Sequence, residues 1–594
     1  MKERWLEYAK KADFKAWGQA LGVSPLIARI LKNRGIDTVE EAGFFLRAGM
    51  ADLKDPAAFP EFSHAADVVL EAVREGMLIA IASDFDCDGI FAAMILKEGL
   101  ENVGGRSLVF IPDRMREGYG INRRIVDEAL EEGAGLILTC DNGIAAMDAV
   151  AYAKEKGLRV VITDHHEVQF EDREDGRHYL VPEADAVLDP KCPGSTYPFH
   201  GLCGAGVAFR LIQLLYARCK VPAKKADELL DYAAIATVAD VVELNGENRI
   251  IVRAGLERLR KTERVPLAAL IRALQIPFSE IETHHISFRI APCFNTMGRI
   301  SDIREAIGFL SMTDPEEARL KAEEIAALNN TRKALMEDGI RKADSVIAEQ
   351  GLASDKVIVA VVPDVHESLA GIIAGKLKEK YYRPVFVFTK AEEPGLLKGS
   401  GRSIEGYHML EALMAVKPLL VRGGGHAMAA GVTIEEKNAE AFRSALNANA
   451  KLTEEELTPK VMIDARAPLG YFTAEAVQEL KLLEPFGVGN PQPLFALADF
   501  VLEDLKLFEG KNVIQLTLND GRVRRKGVYF GDPENVLGVI RENYGEEAVA
   551  RLQKKTGPGV ELAFTYQPRI EEFRGVTSVE IRCRNCCRIG KKVV

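Results

Sequence analysis

Three short apolar runs in this chain each end on carboxylates or imidazoles. They are MLIAIASDFDCDG (77–89), LILTCDNG (136–143) and LRVVITDHH (158–166). Continuous apolar runs of this length are typical of strands buried on both faces of a parallel sheet. Because the carboxyl ends of parallel strands lie at one edge, the polar residues that follow should meet where open α/β sheets bind ligands. Those residues are Asp84, Asp86, Asp88, Asp141, Asp164, His165 and His166.

The segments between the runs predict helices. Apolar residues recur at helical spacing, and each segment stops at glycine, in IFAAMILKEGLENVG, NRRIVDEALEEG and AAMDAVAYAKEKG. The order strand, helix, strand therefore repeats. This is the pattern of an α/β fold with a parallel sheet.

So many carboxylates and imidazoles at one edge would repel one another unless a cation neutralised them. Oxygen ligands mixed with imidazole nitrogen, and no obligatory thiolate, suit Mn²⁺ or Mg²⁺ better than structural zinc. One Asp-x-Asp after a strand is usually a turn or a helix cap, and one Asp-His-His is often a satisfied pair. The same chemistry at three strand ends favours metal binding over these interpretations.

A fourth segment, LLDYAAIATVADVVEL (229–244), is apolar and helix-like, and it carries Asp231 and Asp240. If the segment is buried, Asp240 needs a partner, which the metal site can supply. Asp231 fits equally well as a helix-start residue.

These segments resemble the motifs of the DHH phosphoesterases and, within that family, of the RecJ single-strand-specific exonucleases. DFDCDG is similar to the first motif, TCDNGI to the second, TDHHE to the third and TVADVVEL to the fourth. The resemblance covers nearly the whole chain, with the last hundred residues matched loosely. Further similar stretches, in the family's order, are RILKNRGIDTVEEAGFFL (29–46), IPDRMREGYGIN (111–122), NTMGR (295–299), KGSGRSIEGYHML (398–410), GGGHAMAAG (423–431) and EPFGVGNPQPLF (484–495).

The resemblance implies a metal-dependent 5′-to-3′ exonuclease that degrades single-stranded DNA to mononucleotides in DNA repair and recombination. Its partners would be single-stranded DNA, a single-strand-binding protein and a RecQ-type helicase. Two Mn²⁺ or Mg²⁺ ions would be held by Asp84, Asp86, Asp88, Asp141, His165 and Asp240. Asp164 and His166, with Asp141, would be the catalytic groups. The substrate-binding residues would be Arg114, Asn295, Arg299, Ser400, Arg402, Ser403 and His426.

The chain departs from the family pattern at three places. Ser83 stands where glycine is usual, Cys293 where arginine is common, and VHESLAG (365–371) where the family reads Trp-His-x-Gly-Val-Ile-Gly. These departures concern substrate contacts, and every metal ligand is present.

Two other functions share these motifs. A small-substrate DHH enzyme would cleave cyclic dinucleotides, short oligonucleotides or pyrophosphate, but the additional C-terminal segment speaks against it. A non-catalytic single-strand-binding repair scaffold would be expected to have lost metal ligands, and none is lost here.

Composition agrees with a multidomain protein of the cytoplasm. A length of 594 residues suggests about four modules, and no long apolar run or signal-peptide core predicts membrane insertion. A disulfide at Cys87 would disrupt the first motif, so a reducing compartment is expected. Near the end, Cys583, Cys586 and Cys587 lack a fourth ligand for zinc, and we predict free thiols in a strand.

The net charge of −11 argues against a nucleic-acid partner, but residues 501–594 carry 17 Lys and Arg against 13 Asp and Glu. A basic tail is compatible with DNA binding, although a solvated surface gives similar numbers.

Breaks in the pattern predict five segments. An α/β metal-binding domain is followed by a second α/β domain, which the resemblance identifies as DHHA1-type, and a strongly helical stretch (314–350) joins the two. In the second domain, the glycines of GSGRS permit close backbone approach to a phosphate, for which its Ser and Arg side chains supply donors. The β-rich end predicts a small barrel, which the resemblance identifies as an OB-fold. The segments are 1–55 (helical), 56–265 (DHH), 266–345 (connecting), 346–450 (DHHA1-type) and 455–594 (OB-fold).

Overall fold

The structure is a computed structural model that describes residues 3–113, 117, 119–173, 176–300, 302–508, 510–573 and 575–588. It contains two compact units. The first consists of Glu7–Ala326 together with the chain from Met462 onward, and the second of Ala327–Val461 with the residues before Glu7. The division of the sequence into five segments is finer than this and stays a prediction.

The first part of the chain contains three short helices followed by a parallel-sheet domain. Its elements are β1 (Arg4–Glu7), α1 (Phe14–Leu21), α2 (Pro25–Asn33), α3 (Val39–Arg47), α4 (Pro60–Arg74), β2 (Leu78–Ser83), α5 (Cys87–Asn102), β3 (Arg106–Phe110), α6 (Arg123–Glu131), β4 (Ala134–Cys140), α7 (Met147–Glu155), β5 (Arg159–Thr163), β6 (Phe170–Arg173), β7 (Gly176–Tyr179) and β8 (Ala186–Leu188).

The predicted parallel sheet is confirmed. Five strands lie in the order β3-β2-β4-β5-β8, and each neighbouring pair is parallel. The three apolar runs are β2, β4 and β5, and the three predicted helices are α5, α6 and α7. The chain leaves β2 towards β3 on one side and returns to β4 on the other, so the carboxyl ends of β2 and β4 flank the point where the strand order reverses. Ligands bind at such points in open α/β sheets.

Helices cover the sheet and complete this part of the chain. The helix predicted at 229–244 is α10, which ends at Ala239 and is buried from Leu230 to Val238. The elements are α8 (Gly204–Cys219), α9 (Ala223–Asp227), α10 (Leu230–Ala239), α11 (Gly246–Leu259), α12 (Val265–Ala273), α13 (Thr283–His285), α14 (Ala291–Ile300) and α15 (Arg304–Leu310), with a π-helical turn at Ile286–Ile290.

The predicted long helix is α16 (Pro315–Glu349), which begins in the first unit and ends in the second. The second unit then forms a five-stranded mixed sheet in the order β12-β13-β11-β10-β9, with helices packed on it. Its elements are β9 (Ile358–Val361), α17 (Glu367–Tyr381), β10 (Val385–Lys390), β11 (Leu396–Arg402), α18 (Met409–Ala415), β12 (Leu420–Gly425), β13 (Ala429–Glu435) and α19 (Ala439–Asn449).

The C-terminal part is the predicted β-barrel. Strand β16 pairs with both β17 and β19, which closes the run β16-β17-β18-β20-β19 on itself. The three C-terminal cysteines lie on β20. Two helices between β18 and β19 were not predicted. The elements are β14 (Lys460–Ile463), β15 (Ala465–Arg466), α20 (Ala474–Leu480), β16 (Phe495–Leu507), β17 (Val513–Asn519), β18 (Arg524–Phe530), α21 (Glu534–Tyr544), α22 (Glu546–Lys554), β19 (Val560–Phe573) and β20 (Val576–Arg588).

The N-terminal helices and the barrel share one hydrophobic core. Ile27, Ile30 and Phe45 belong to the same buried cluster as Phe495 and Phe564 of the barrel. Residues distant in the sequence therefore stabilise each other by burying a common apolar surface. Within the described residues, no helix combines the length and apolar character needed to cross a membrane.

A buried arginine of α11 links these parts to the parallel-sheet domain. The Arg249 side chain is 3% exposed, and its guanidinium lies 3.8 Å over the Phe45 ring. Burial, together with the charge of Arg253, lowers the pKa of Arg249. The guanidinium donates five hydrogen bonds of 2.6–3.3 Å. The acceptors are the backbone carbonyls of Phe45, Leu482, Leu483, Glu484 and Pro485.

We expect Arg249→Met to destabilise the first unit by about 3 kcal/mol or more, because it leaves several buried carbonyls without donors. Trp17, one of the chain's two tryptophans, packs against the shared core. Its fluorescence should therefore change at lower urea concentration in the variant. Arg258→Met is the control, since Arg258 donates a hydrogen bond to the Glu228 carbonyl at 3.2 Å. Equal shifts in the two variants would contradict the role given to Arg249.

Candidate metal centre

The loop after β2 carries three aspartates at the carboxyl edge of the sheet. Asp86 is the N-cap of α5, because its Oδ1 accepts hydrogen bonds from the backbone N–H groups of Asp88 at 2.8 Å and Gly89 at 3.2 Å. The helix-cap interpretation of this motif is therefore correct for one oxygen of Asp86, and the other remains for a metal. Asp84 and Asp88 are almost fully buried.

Asp141 follows β4 and has a φ of 61°, in the left-handed region that Asp and Asn tolerate better than most residues. Its backbone carbonyl accepts a 2.7 Å hydrogen bond from the Tyr119 hydroxyl. A Cβ atom at Gly204 would lie 2.5 Å from the Cβ of Asp141, so only glycine fits there.

The N-terminus of α8 holds Asp88. The backbone N–H groups of Gly204 and Ala205 donate to its two carboxylate oxygens at 2.6 and 2.9 Å. Partial positive charge at a helix N-terminus stabilises a carboxylate. Sequence reasoning missed this contribution. The only signal was the small-residue stretch CGAG before an apolar helix.

His165 lies between the carboxylates. Its Nε2 is 3.0 Å from Asp141 Oδ1, 3.7 Å from Asp88 Oδ2 and 3.8 Å from Asp240 Oδ2. Potential ligand atoms lie within 4.8 Å of one another in three groups, namely Asp84 with Asp86 and Asp141, Asp88 with His165 and Asp240, and Asp141 with His165 and His166. All six predicted ligands are thus brought together, and Asp141 belongs to two of the groups.

The electrostatics of the cluster fit divalent cations. Burial and the neighbouring carboxylates raise the pKa of Asp88 and that of Asp141, and they raise the pKa of Asp240 to about 8. Burial lowers the pKa of His165, which keeps its imidazole neutral and able to bind a metal. Buried carboxylates that resist ionisation for lack of a cation, beside a neutral imidazole, are a donor set suited to Mn²⁺ or Mg²⁺.

Asp164 and His166 form a pair beside the cluster. Asp164 Oδ1 accepts a 2.7 Å hydrogen bond from His166 Nδ1, and its Oδ2 accepts one from the Ile144 N–H at 2.9 Å. Although burial opposes the charge, this bond and the charge of Asp164 raise the pKa of His166 to about 9. His166 is therefore cationic at neutral pH. The Tyr119 hydroxyl lies 2.9 Å from His166 Nδ1 and is a site residue that the sequence analysis did not single out.

The other residues that the sequence analysis singled out in this unit are Asn295, Asp231, Arg114 and Arg299. The Asn295 side-chain oxygen accepts a 3.0 Å hydrogen bond from the Cys87 N–H, so Asn295 supports the first aspartate loop. Asp231 lies in the first turn of α10 and pairs with Arg264 at 3.1 Å, away from the metal groups. Arg114 lies outside the described residues, and Arg299 is described only as part of α14.

The predicted substrate residues of the second unit lie on β11 and after β12. Ser400 and Arg402 share one face of β11, where Arg402 Nη1 donates to Ser400 Oγ at 3.2 Å. His426 is exposed in the turn after β12. The Ser403 hydroxyl is buried and donates to the Tyr407 carbonyl at 2.6 Å, so it stabilises a turn.

The structure gives a different reason for the two glycines of GSGRS from the one predicted. A Cβ atom at Gly399 would lie 2.6 Å from the Phe388 ring, and one at Gly401 would lie 2.6 Å from the Phe386 ring. The sequence analysis related these glycines to a close phosphate. In the structure they make room for two buried phenylalanines, while the alternate residues face the other way.

We expect the metal-free protein to lose thermal stability as pH rises. Carboxyl groups whose folded-state pKa lies above the unfolded value stabilise the fold while protonated, and this stabilisation is lost as pH rises towards about 8, where Asp240 titrates. With EDTA, the unfolding midpoint should fall by about 5 °C or more between pH 6 and pH 9. Saturating Mn²⁺ should abolish the fall, and Asp141→Asn should reduce it. A midpoint in EDTA that rises with pH would contradict the charge assignment.

Comparison with known proteins agrees with this geometry. Residues 78–237 match the DHH family, N-terminal domain, residues 354–452 the DHHA1 domain and residues 463–585 the RecJ OB domain. The single-stranded-DNA-specific exonuclease RecJ of Bacillus subtilis is 36% identical over 91% of this chain and 67% of its own length. RecJ of Escherichia coli is 31% identical over 94% of this chain and 95% of its own.

A crystal structure of RecJ from Thermus thermophilus in complex with Mn²⁺ superposes with a TM-score of 0.79 at 28% identity. The match covers 98% of this chain and 79% of that one. Together with the cluster of aspartates and histidines, the identity and coverage of these relatives show that the chain belongs to the RecJ family of DHH phosphoesterases.

Proposed function

We propose that this protein is a metal-dependent exonuclease that hydrolyses single-stranded DNA from the 5′ end and releases mononucleotides. The observation that carries the proposal is the meeting of six side chains that could ligate a metal at the reversal point of the parallel sheet. The relatives named above are single-stranded-DNA-specific exonucleases, which supports the substrate class.

The ligands divide between two cations. Asp84 and Asp86 would hold one, Asp88, His165 and Asp240 the other, and Asp141 both. When bound, two divalent cations polarise a phosphodiester and lower the pKa of a water molecule.

The remaining groups of the site position the ligand side chains and neutralise negative charge on the phosphate. The N-terminus of α8 fixes Asp88 through two backbone hydrogen bonds. The His166 cation, oriented by Asp164, adds positive charge where a phosphate gains negative charge. The Tyr119 hydroxyl donates to the Asp141 backbone carbonyl and accepts from His166 Nε2 at 3.3 Å, and it thereby holds the two catalytic loops in register.

The barrel offers a surface suited to a single strand. Arg569, Arg582 and Arg584 lie on β19 and β20, and the charge of Arg569 lowers the pKa of both other arginines, in addition to burial. Arg582 lies 5.3 Å over the ring of Phe530, which is 51% exposed. A cluster of guanidinium groups beside an exposed aromatic ring suits a phosphate backbone and a stacked base. This chemistry favours an exonuclease on strands over an enzyme for small substrates.

The second unit supplies the proposed contact for the strand end. We assign the terminal phosphate to Ser400 and Arg402, with His426 as a further contact. A guanidinium binds a terminal phosphate bidentately more readily than an esterified one, so this pair would favour a free 5′ end. By family resemblance, Arg114, Asn295 and Arg299 complete the proposed substrate contacts.

Cellular context follows from this function. A nuclease for single strands acts on DNA that a helicase has opened and that a single-strand-binding protein covers. A RecQ-type helicase and such a binding protein are therefore the partners we propose. We place the protein in the cytoplasm, since Cys87 lies within the first metal motif, where a disulfide would be disruptive.

Asp141→Asn tests the metal assignment. We expect it to lower hydrolysis of single strands by about 10³ or more, because Asp141 belongs to two ligand groups. Asn tolerates the left-handed backbone at this position, so the fold should be retained. The measurement is release of nucleotides from labelled strands with Mn²⁺, and circular dichroism checks folding. Asp127→Asn is the control. Substantial activity in a folded Asp141→Asn protein would disprove the two-metal site.

Arg402→Ala tests the proposed 5′-to-3′ direction of hydrolysis. It should lower activity on 5′-phosphorylated strands by about ten- to a hundredfold more than on 5′-hydroxyl strands, because it removes a charge-assisted contact to the end group. Arg422→Ala, at an exposed arginine of the same sheet, is the control. An equal loss on both substrates would show that Arg402 serves the fold or the strand in general.

A further inference from the structure

A pocket of about 370 Å³ lies in the first unit, where the N-terminal helices meet the start of α11 and the loop before β16. The residues of this pocket belong neither to the metal site nor to the arginine cluster of the barrel (Arg569, Arg582 and Arg584). They are Arg34, Gly35, Ile36, Glu41, Phe44, Phe45, Ala48, Glu243, Asn245, Gly246, Arg249, Ile250 and Gly489, and we call this the α3–α11 pocket.

One side of the pocket is apolar. Phe44 is 43% exposed although the next residue, Phe45, packs into the shared core, and Ile36 and Ile250 extend the apolar wall. An exposed aromatic ring at the mouth of a pocket provides a face on which a flat group can stack.

The charged groups of the pocket do not favour a phosphate. The Arg249 donors are engaged by five backbone carbonyls, and the Arg34 Nη groups bind Asp464 at 2.7 and 3.1 Å. Two carboxylates, Glu41 and Glu243, lie in the lining and would repel an anion. The ligand best suited to this lining is therefore neutral, with apolar faces.

The polar groups at the opening fit the edge of such a ligand. Asn245 Nδ2 donates to Glu243 Oε2 at 2.7 Å, and both side chains belong to exposed residues. A carboxylate and an amide together accept and donate hydrogen bonds, as the edge of a nucleobase requires. An aromatic wall with a polar edge is the usual environment of a base taken out of its stack.

The pocket lies close to the metal centre along the chain. Glu243 comes three residues after the metal ligand Asp240, and three extended residues span at most about 10 Å. Stacked nucleotides rise about 3.4 Å each, so this distance corresponds to about three nucleotides. The residue after Asp240, Val241, is 65% exposed and adds apolar surface between the two sites.

We propose that the α3–α11 pocket receives one nucleobase of the strand whose phosphodiester is cut at the metal centre, with its face on Phe44 and its edge at Glu243 and Asn245. The inference rests on the proposed function, because the strand is the source of the base. A base in the pocket must be unpaired and unstacked. The pocket therefore adds to the selection of single strands over duplexes.

The experiment scans a 5′-phosphorylated single strand with one abasic residue at each of its first six positions. In the wild-type protein with Mn²⁺, an abasic residue at one of these positions should lower kcat/KM by about tenfold relative to the intact strand, because a stacked base is lost there. Phe44→Leu should lower the rate on the intact strand and remove this position dependence, and Phe44→Tyr should restore it. Phe170→Leu, at a phenylalanine that is 45% exposed, should behave as the wild type.

A binding measurement separates this inference from the nuclease assignment. The fluorescent base 2-aminopurine, placed in turn at each of the first six positions, should change its emission on binding in EDTA at one of them, and Phe44→Leu should suppress the change. If the wild type cuts single strands but shows no position dependence, the pocket does not hold a base. If Phe44→Leu slows intact and abasic strands equally, or leaves the 2-aminopurine signal unchanged, the inference is equally overturned. If the wild type cuts no single strand, the nuclease assignment fails, and the 2-aminopurine signal alone decides whether the pocket takes a base.

Discussion

Negative charge held out of water at one edge of a parallel sheet is the constraint on which this structure depends. Asp84, Asp88 and Asp141 are nearly fully buried, and burial together with neighbouring carboxylates raises the pKa of Asp88 and that of Asp141. Such a cluster is stable in two states, with protons bound or with cations bound. Because divalent cations would supply the chemistry of phosphodiester hydrolysis, the cation-bound state is the one that suits this function.

The surrounding elements hold this charge in place by contacts that differ in kind. The cap formed by Asp86, the N-terminus of α8 and the Asn295 side chain all act through backbone N–H groups. The cationic side chain of His166 lies at the side of the cluster and donates a hydrogen bond to Asp164. The ligand loops are thus fixed by short hydrogen bonds to neighbouring backbone, which limits the reorganisation needed when a cation binds.

The metal ligands could be predicted from sequence because each directly follows a local signal, an apolar run or an apolar helix, and parallel pairing brings the ends of such runs together. The supporting contacts could not. Gly204 and Ala205 act through backbone N–H groups, which every residue but proline has, and Arg249 bonds to carbonyls more than 200 residues away in both directions. The glycines of GSGRS show a further limit. The pattern alone does not tell whether a ligand or a phenylalanine ring occupies the space a side chain would fill.

There is a physical reason why backbone N–H groups, and not lysine or arginine side chains, hold Asp88. A full positive charge on a side chain would pair with the carboxylate, lower its pKa and compete with the metal for the same oxygen atoms. Helix N-terminal N–H groups carry only partial charge and approach from a fixed direction, so they leave the other lone pairs of both oxygens available. The cluster therefore stays short of positive charge until a divalent cation binds. The same principle explains why the imidazolium of His166 is hydrogen-bonded to Asp164, which is outside the six-ligand set.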